Sequence, residues 1–160
     1  MEGVVLMVRL CRVEPRQRNN LSHDRARKLT RLAELCDEPL RDHLLARVYW
    51  LPDASGLAVF RLNRVQDHLQ LLTTDAAGKA KCLLEERDPY WINIHNDFRF
   101  LPKSRRFLWP SEKSGYRHLY VYEESGKQVA QITSGDWEVA NVAHVDETGG
   151  RVYFVSTEQS

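Results

Sequence analysis

The sequence predicts an all-β chain of short antiparallel strands arranged in a repeat. From Leu44 onward, short apolar and aromatic runs alternate with clusters of Gly, Pro, Asp, Asn and Ser, the pattern of strands joined by tight turns. His68-Leu69-Gln70-Leu71-Leu72 returns about fifty residues later as His118-Leu119-Tyr120-Val121-Tyr122, and Leu51-Pro52 returns in the same register as Leu101-Pro102. Each copy is followed by a Gly-Lys pair and then a Trp: Gly78-Lys79 and Trp91, then Gly126-Lys127 and Trp137.

Residues 1–43 differ from the rest and read as a separate segment. Gly3 to Val8 is apolar but too short to span a membrane. No basic residue precedes it and no small-residue cleavage site follows, so it reads as a strand rather than a signal peptide. After the Arg-rich stretch Arg12 to Asn20, the cluster Ser22-His23-Asp24 caps a predicted short helix running to about Cys36. Leu21, Leu29, Leu32, Leu35 and Cys36 have helical spacing, and Pro39 stops the helix. Its basic face (Arg25, Arg27, Lys28, Arg31) reads as solvated rather than phosphate-binding.

Predicted strands then follow in groups of four. Leu44–Leu51, Leu57–Leu62, His68–Thr73 and Ala80–Leu84 form one antiparallel meander, interrupted by Pro52-Asp53-Ala54-Ser55-Gly56 and Asp75-Ala76-Ala77-Gly78-Lys79. Asp97–Leu101, Arg106–Pro110, His118–Tyr122 and Val129–Thr133 form the next. Val139–Val145 and Arg151–Ser156 begin a third. Four strands per unit at this period are the signature of a β-propeller blade. The expected architecture is a partial propeller of about two and a half blades, divided at residues 44–91, 92–137 and 138–160. A chain that stops after two strands of a blade leaves edges to be paired, by further chain, by a partner or by a copy.

Composition narrows the function classes. At 160 residues, with 42% hydrophobic and 28% charged, the chain is long enough for one soluble domain with a core. A net charge of +1 gives no argument for nucleic acid or a membrane surface. Cys11, Cys36 and Cys82 form no C-x-x-C pair, and none of the six His makes a metal-binding spacing, so neither a cofactor nor a metal is implied. Cys82 falls in an apolar outer strand, where a thiol is expected to be buried and inert. The four Trp fall at blade beginnings and ends, where packing explains them. His68 and His118 occupy equivalent repeat positions, which argues for a structural role. Glu85-Glu86 and Glu123-Glu124 are acidic pairs able to hold an ammonium group, but both read as solvated, at strand ends or turns. The densest polar cluster is His95, Asn96 and Asp97, entering an innermost strand. These three are candidates to line a propeller's central channel, with hydrogen bonding to neighbouring blades as the structural alternative.

Several ordered stretches carry a family resemblance. They are Trp91-Ile92-Asn93-Ile94-His95-Asn96-Asp97, Arg106-Phe107-Leu108-Trp109-Pro110-Ser111-Glu112-Lys113-Ser114-Gly115-Tyr116-Arg117-His118-Leu119-Tyr120, Ile132-Thr133-Ser134-Gly135-Asp136-Trp137-Glu138-Val139, Val145-Asp146-Glu147 and Val152-Tyr153-Phe154. From Leu44 to Ser160 the chain resembles the N-terminal propeller of the dipeptidyl peptidase IV family of serine peptidases, closest to bacterial members and the cytosolic branch. The resemblance implies a parent enzyme with an eight-bladed propeller and a C-terminal α/β-hydrolase domain that releases X-Pro or X-Ala dipeptides. In it the propeller gates the peptide substrate and supplies a glutamate pair for its amino group. This sequence contains no G-x-S-x-G, the strained turn that exposes a hydrolase serine, and residues 1–43 contain no Glu-Glu pair. The expectation is therefore a propeller fragment without catalytic residues, partnered by the hydrolase domain of its parent. The alternative is a free-standing scaffold that completes its blades by self-association or with a partner's strand. The parent's compartment stays open between cytoplasm and periplasm.

Overall fold

The computed structural model describes residues 43–158 apart from residue 76. The predicted N-terminal strand and helix lie outside the described residues. Ten strands follow in chain order: β1 His43–Trp50, β2 Leu57–Asn63, β3 His68–Thr74, β4 Ala80–Arg87, β5 Arg99–Leu101, β6 Arg106–Ser111, β7 His118–Glu123, β8 Gln128–Gln131, β9 Val139–Asp146 and β10 Arg151–Ser156. They form a four-stranded sheet in the order β1-β2-β3-β4, a second in the order β5-β6-β7-β8, and the pair β10-β9. Every pairing is antiparallel between sequence neighbours. The chain is an open partial propeller, as the repeat predicts.

The repeat is visible in the turns. Asp75 N–H donates to Lys79 O (3.1 Å) and Gly78 N–H to Asp75 O (3.0 Å), while Glu123 N–H donates to Lys127 O and Gly126 N–H to Glu123 O (both 2.9 Å). Gly78 (φ +83°) and Gly126 (φ +91°) occupy the left-handed position that this bulged hairpin requires. Threonines close the mouths of the hairpins in the same way. Thr74 Oγ1 accepts Leu57 N–H (3.1 Å), Thr133 Oγ1 accepts Leu119 N–H (2.9 Å), and Thr157 Oγ1 accepts Glu138 N–H (3.0 Å).

Side chains alternate between two cores, as strand geometry demands. In the middle sheet Phe107, Trp109, Tyr120 and Tyr122 face the first sheet, with Phe60, Leu71 and Phe98 in the same cluster. Their neighbours Leu108 and Leu119 face Val139 and Val142 of β9. The middle sheet is thus buried on both faces, the condition of an internal blade. Pro110 sits in β6 without disrupting it, because β5 pairs only with Arg106–Leu108 and that ladder ends before the proline. On β10, Tyr153, Phe154 and Val155 remain 48%, 37% and 52% exposed.

Gly126 also joins sheets: a Cβ placed on it would lie 1.9 Å from the Leu83 carbonyl oxygen of β4. Gly126→Ala therefore meets both a left-handed backbone and a backbone clash. It should lower unfolding stability by about 2 kcal/mol or more, beyond the ~1–2 kcal/mol of the conformation alone. Urea denaturation of the variant beside wild type measures this.

Candidate functional site

His95, Asn96 and Asp97 lie in the linker between β4 and β5, not in a strand. The strand expected from Asp97 starts only at Arg99, because Asp97 and Phe98 are committed elsewhere. Asn96 Oδ1 accepts from Arg47 of β1, through Nε (3.3 Å) and Nη2 (2.9 Å). Asp97 is buried; its Oδ1 accepts the Val142 N–H of β9 (3.0 Å), and its Oδ2 pairs with Arg117, the residue before β7. Arg117 also donates from Nη1 to the Ala140 carbonyl (2.9 Å), while its buried Nε has no partner. Asn96 and Asp97 thereby tie together all three sheets, and their side-chain oxygens are used in doing so.

His95 is different. Its ring is mostly buried, with Nε2 3.4 Å from Glu112 Oε1. Burial and the Arg117 charge push the imidazole below its ordinary value, and Glu112 opposes them. Asn93 Nδ2 donates to both oxygens of the same carboxylate (3.1 and 2.9 Å). Glu112, on the loop after β6, is therefore the acceptor that gathers this part of the linker. The sequence had placed it within the resemblance but not in the site. A cavity of about 250 Å³ opens here, lined by Glu86, Trp91, Asn93, His95 and Glu112 among others. A wider cleft of about 990 Å³ lies between the first two sheets, lined by Leu51, Leu83, Phe100, Pro102 and Lys81 among others. Among the described residues no group of three or more His, Cys, Asp or Glu is placed to hold a metal.

Residues 18–160 match the family model described as the dipeptidyl peptidase IV (DPP IV) N-terminal region. The chain belongs to this family. The match begins upstream of the strands, in residues outside the described structure. Dipeptidyl peptidase 4 of Arthroderma otae is 30% identical over 126 residues, covering 75% of this chain and 16% of that protein. Dipeptidyl peptidase 4 of Trichophyton rubrum is 28% identical over 126 residues, covering 75% and 16%. The crystal structure of Porphyromonas gingivalis dipeptidyl peptidase 4 superposes with a TM-score of 0.66 at 28% identity, covering 72% of this chain and 17% of that one. The chain thus spans about one sixth of the length of these curated relatives (16%).

Against this DPP IV framework the remaining candidates fall into place. Glu123 and Glu124 are exposed, with Glu124 paired to Arg105 (2.9 Å). Glu85 is exposed and bonded to His68 and Arg87. Glu86 departs from the solvated reading. It is half-buried in the seam between the first two sheets, where Oε1 accepts the Trp109 indole N–H (2.9 Å). Burial raises its pKa, and the bonds from Ser111 and Trp109 lower it. Cys82 is exposed on β4 rather than buried; its thiol is pushed up by desolvation and Glu85, which leaves it unactivated. Trp109 is buried and Trp137 packs on His118 and Phe154, as expected, but Trp91 is 51% exposed.

Two outcomes follow. Asp97→Ala leaves Arg117 without its buried partner and should cost about 3 kcal/mol, whereas adding Arg117→Met should recover part of that loss; a double-mutant cycle in urea reads the difference. Glu86 has a raised folded pKa, so its favourable contribution is present below the unfolded pKa and is lost as pH rises through the folded one. Glu86→Gln should therefore stabilise the protein at pH 7 relative to wild type, with the gain shrinking near pH 4, as urea midpoints at the two pH values will report.

Proposed function

We propose that this chain is the non-catalytic propeller portion of a dipeptidyl peptidase IV-like serine exopeptidase. In that enzyme it limits which peptides reach the active site and seats the α/β-hydrolase domain. The observation that carries this reading is the middle sheet, buried on both faces within a stretch that matches the family's N-terminal region. Such a sheet is a wall element, and its polar side chains serve mainly to join neighbouring sheets. Support also comes from chemistry. Hydrolysis needs a serine activated by a base, beside oxyanion donors. The sequence contains no G-x-S-x-G, Cys82 is unactivated, and His95 faces a carboxylate and Arg117 rather than a nucleophile.

The direct test incubates the purified 160-residue chain with Ala-Pro-p-nitroanilide. The expected result is release no faster than in buffer. Saturable turnover that co-purifies with the chain would overturn the non-catalytic reading.

A further inference from the structure

Pro89, Tyr90 and Trp91 form a knob on the linker after β4, with Tyr90 85% and Trp91 51% exposed. Its backbone is fixed. Asp88 Oδ1 accepts the N–H groups of Tyr90 (2.8 Å) and Trp91 (3.1 Å). On either side, Asp88 N–H donates to Asp67 O (3.0 Å) and Ile92 N–H to Gln66 O (2.7 Å). A pinned loop has little conformational entropy left to lose on binding. Exposed Tyr and Trp on such a loop are the side chains that carry binding energy at interfaces. Most other aromatic rings near this linker are covered; these two are not.

Trp91 also forms part of the wall of the 250 Å³ cavity, and the charge there is one-sided. Glu85, Glu86, Asp88 and Glu112 line it against only Arg87 and Lys113. Both cations are already engaged: Arg87 by Glu85 (3.1 Å), and Lys113 by Tyr122 Oη (2.7 Å) and Gln128 Oε1 (2.6 Å). The carboxylates hold partners within the fold, but among those partners only Arg87 is a fixed cation, so the opening keeps an excess of negative charge beside an indole face, and both attract the same kind of group, a cation.

We propose that this knob and cavity dock a basic peptide. An Arg or Lys side chain enters beside Glu112 and lies on Trp91, and a neighbouring apolar residue packs on Tyr90. The inference rests on the gating reading above, and it names the class of peptide the gate favours: substrates with a basic residue flanked by apolar ones.

The test uses the purified chain and two fluorescein-labelled, N-acetylated pentapeptides, Leu-Arg-Leu-Arg-Leu and Leu-Glu-Leu-Glu-Leu, followed by fluorescence anisotropy. The arginine peptide should bind saturably, at least about tenfold tighter than the glutamate peptide, and more weakly at high salt. Trp91→Ala should weaken binding about tenfold, the scale of a lost hot-spot contact. Tyr153→Ala, on β10, should not change it. Glu112→Gln should weaken the arginine peptide selectively. No saturable binding up to about millimolar peptide, the weak end of specific affinity, overturns the proposal. So does binding that ignores Trp91→Ala or the peptide's charge. Failure here leaves the non-catalytic reading standing, because that reading is judged separately, by whether the same chain turns over Ala-Pro-p-nitroanilide. Turnover there would leave the binding result standing.

Discussion

The packing of this chain turns on Phe98, a side chain that belongs to no strand. A sheet with an apolar face must bury that face against another layer, here a second sheet. Phe98 is 2% exposed and sits where the first two sheets meet. Its ring lies 5.1 Å from Tyr49 of β1, 5.2 Å from Phe60 of β2, 4.8 Å from Phe100 of β5 and 6.0 Å from Trp109 of β6. Burying a side chain of this kind contributes about 1.5–3 kcal/mol, and the edge-on ring contacts add to that. The linker must therefore deliver an aromatic group between two sheets while its backbone crosses from one to the other. The adjacent Asp97 solves the polar half of the problem, reaching Arg117 and the Val142 amide on the far side. Apolar anchor and polar pin are consecutive residues because an extended chain points consecutive side chains in opposite directions.

The repeat shows what each blade needs and where the blades differ. His68 and His118 stand at the same place, the first residue of a third strand, and each reaches a partner 17 residues on. In the first sheet that partner is the Glu85 carboxylate. In the second it is the Gly135 carbonyl, with Thr133 Oγ1 at the other ring nitrogen. The Gly135 carbonyl can only accept, so Nε2 carries the proton given to it, and in the neutral ring Nδ1 then accepts the Thr133 hydroxyl hydrogen while Thr133 Oγ1 accepts the Leu119 N–H. The position asks for a ring that can bond across the hairpin. Whether it does so to a carboxylate or a carbonyl depends on burial, which is nearly complete at His118.

Most of the fold was legible in the sequence because strands and turns are local. Alternating Phe107-Leu108-Trp109 and Leu119-Tyr120-Val121-Tyr122 need two covered faces, and Asp75 to Lys79 and Glu123 to Lys127 spell one hairpin twice. The site was less legible because its contacts span distant segments. Nothing around Glu86 in sequence announces Trp109 as its partner, 23 residues away and in another sheet. Cys82 does lie on the outermost strand of its sheet, as the repeat implies, but apolar neighbours in sequence do not say whether an edge strand is covered, and here the thiol is exposed. Trp91 looks like packing by its place in the repeat. The Asp88 turn redirects the chain there, a local signal that could have been read as an aspartate capping two amides.

The same geometry separates residues that tie the sheets together from residues at the edge of a cavity. Asn96 and Asp97, chosen for their polarity, have their acceptors occupied by Arg47, Arg117 and Val142. A peptide competing for those groups would have to break contacts between sheets, so selection by them would cost the wall its integrity. His95 and Glu112 stand one layer out, at the edge of a cavity, where a partner can be exchanged without disturbing Phe98. Asp97 in the seam is saturated within the fold, whereas His95 and Glu112 line the cavity beside it. Asn96 and Asp97, next to the buried aromatic anchor, therefore belong to the scaffold, and the recognition proposed above falls to the groups beside the exposed Trp91.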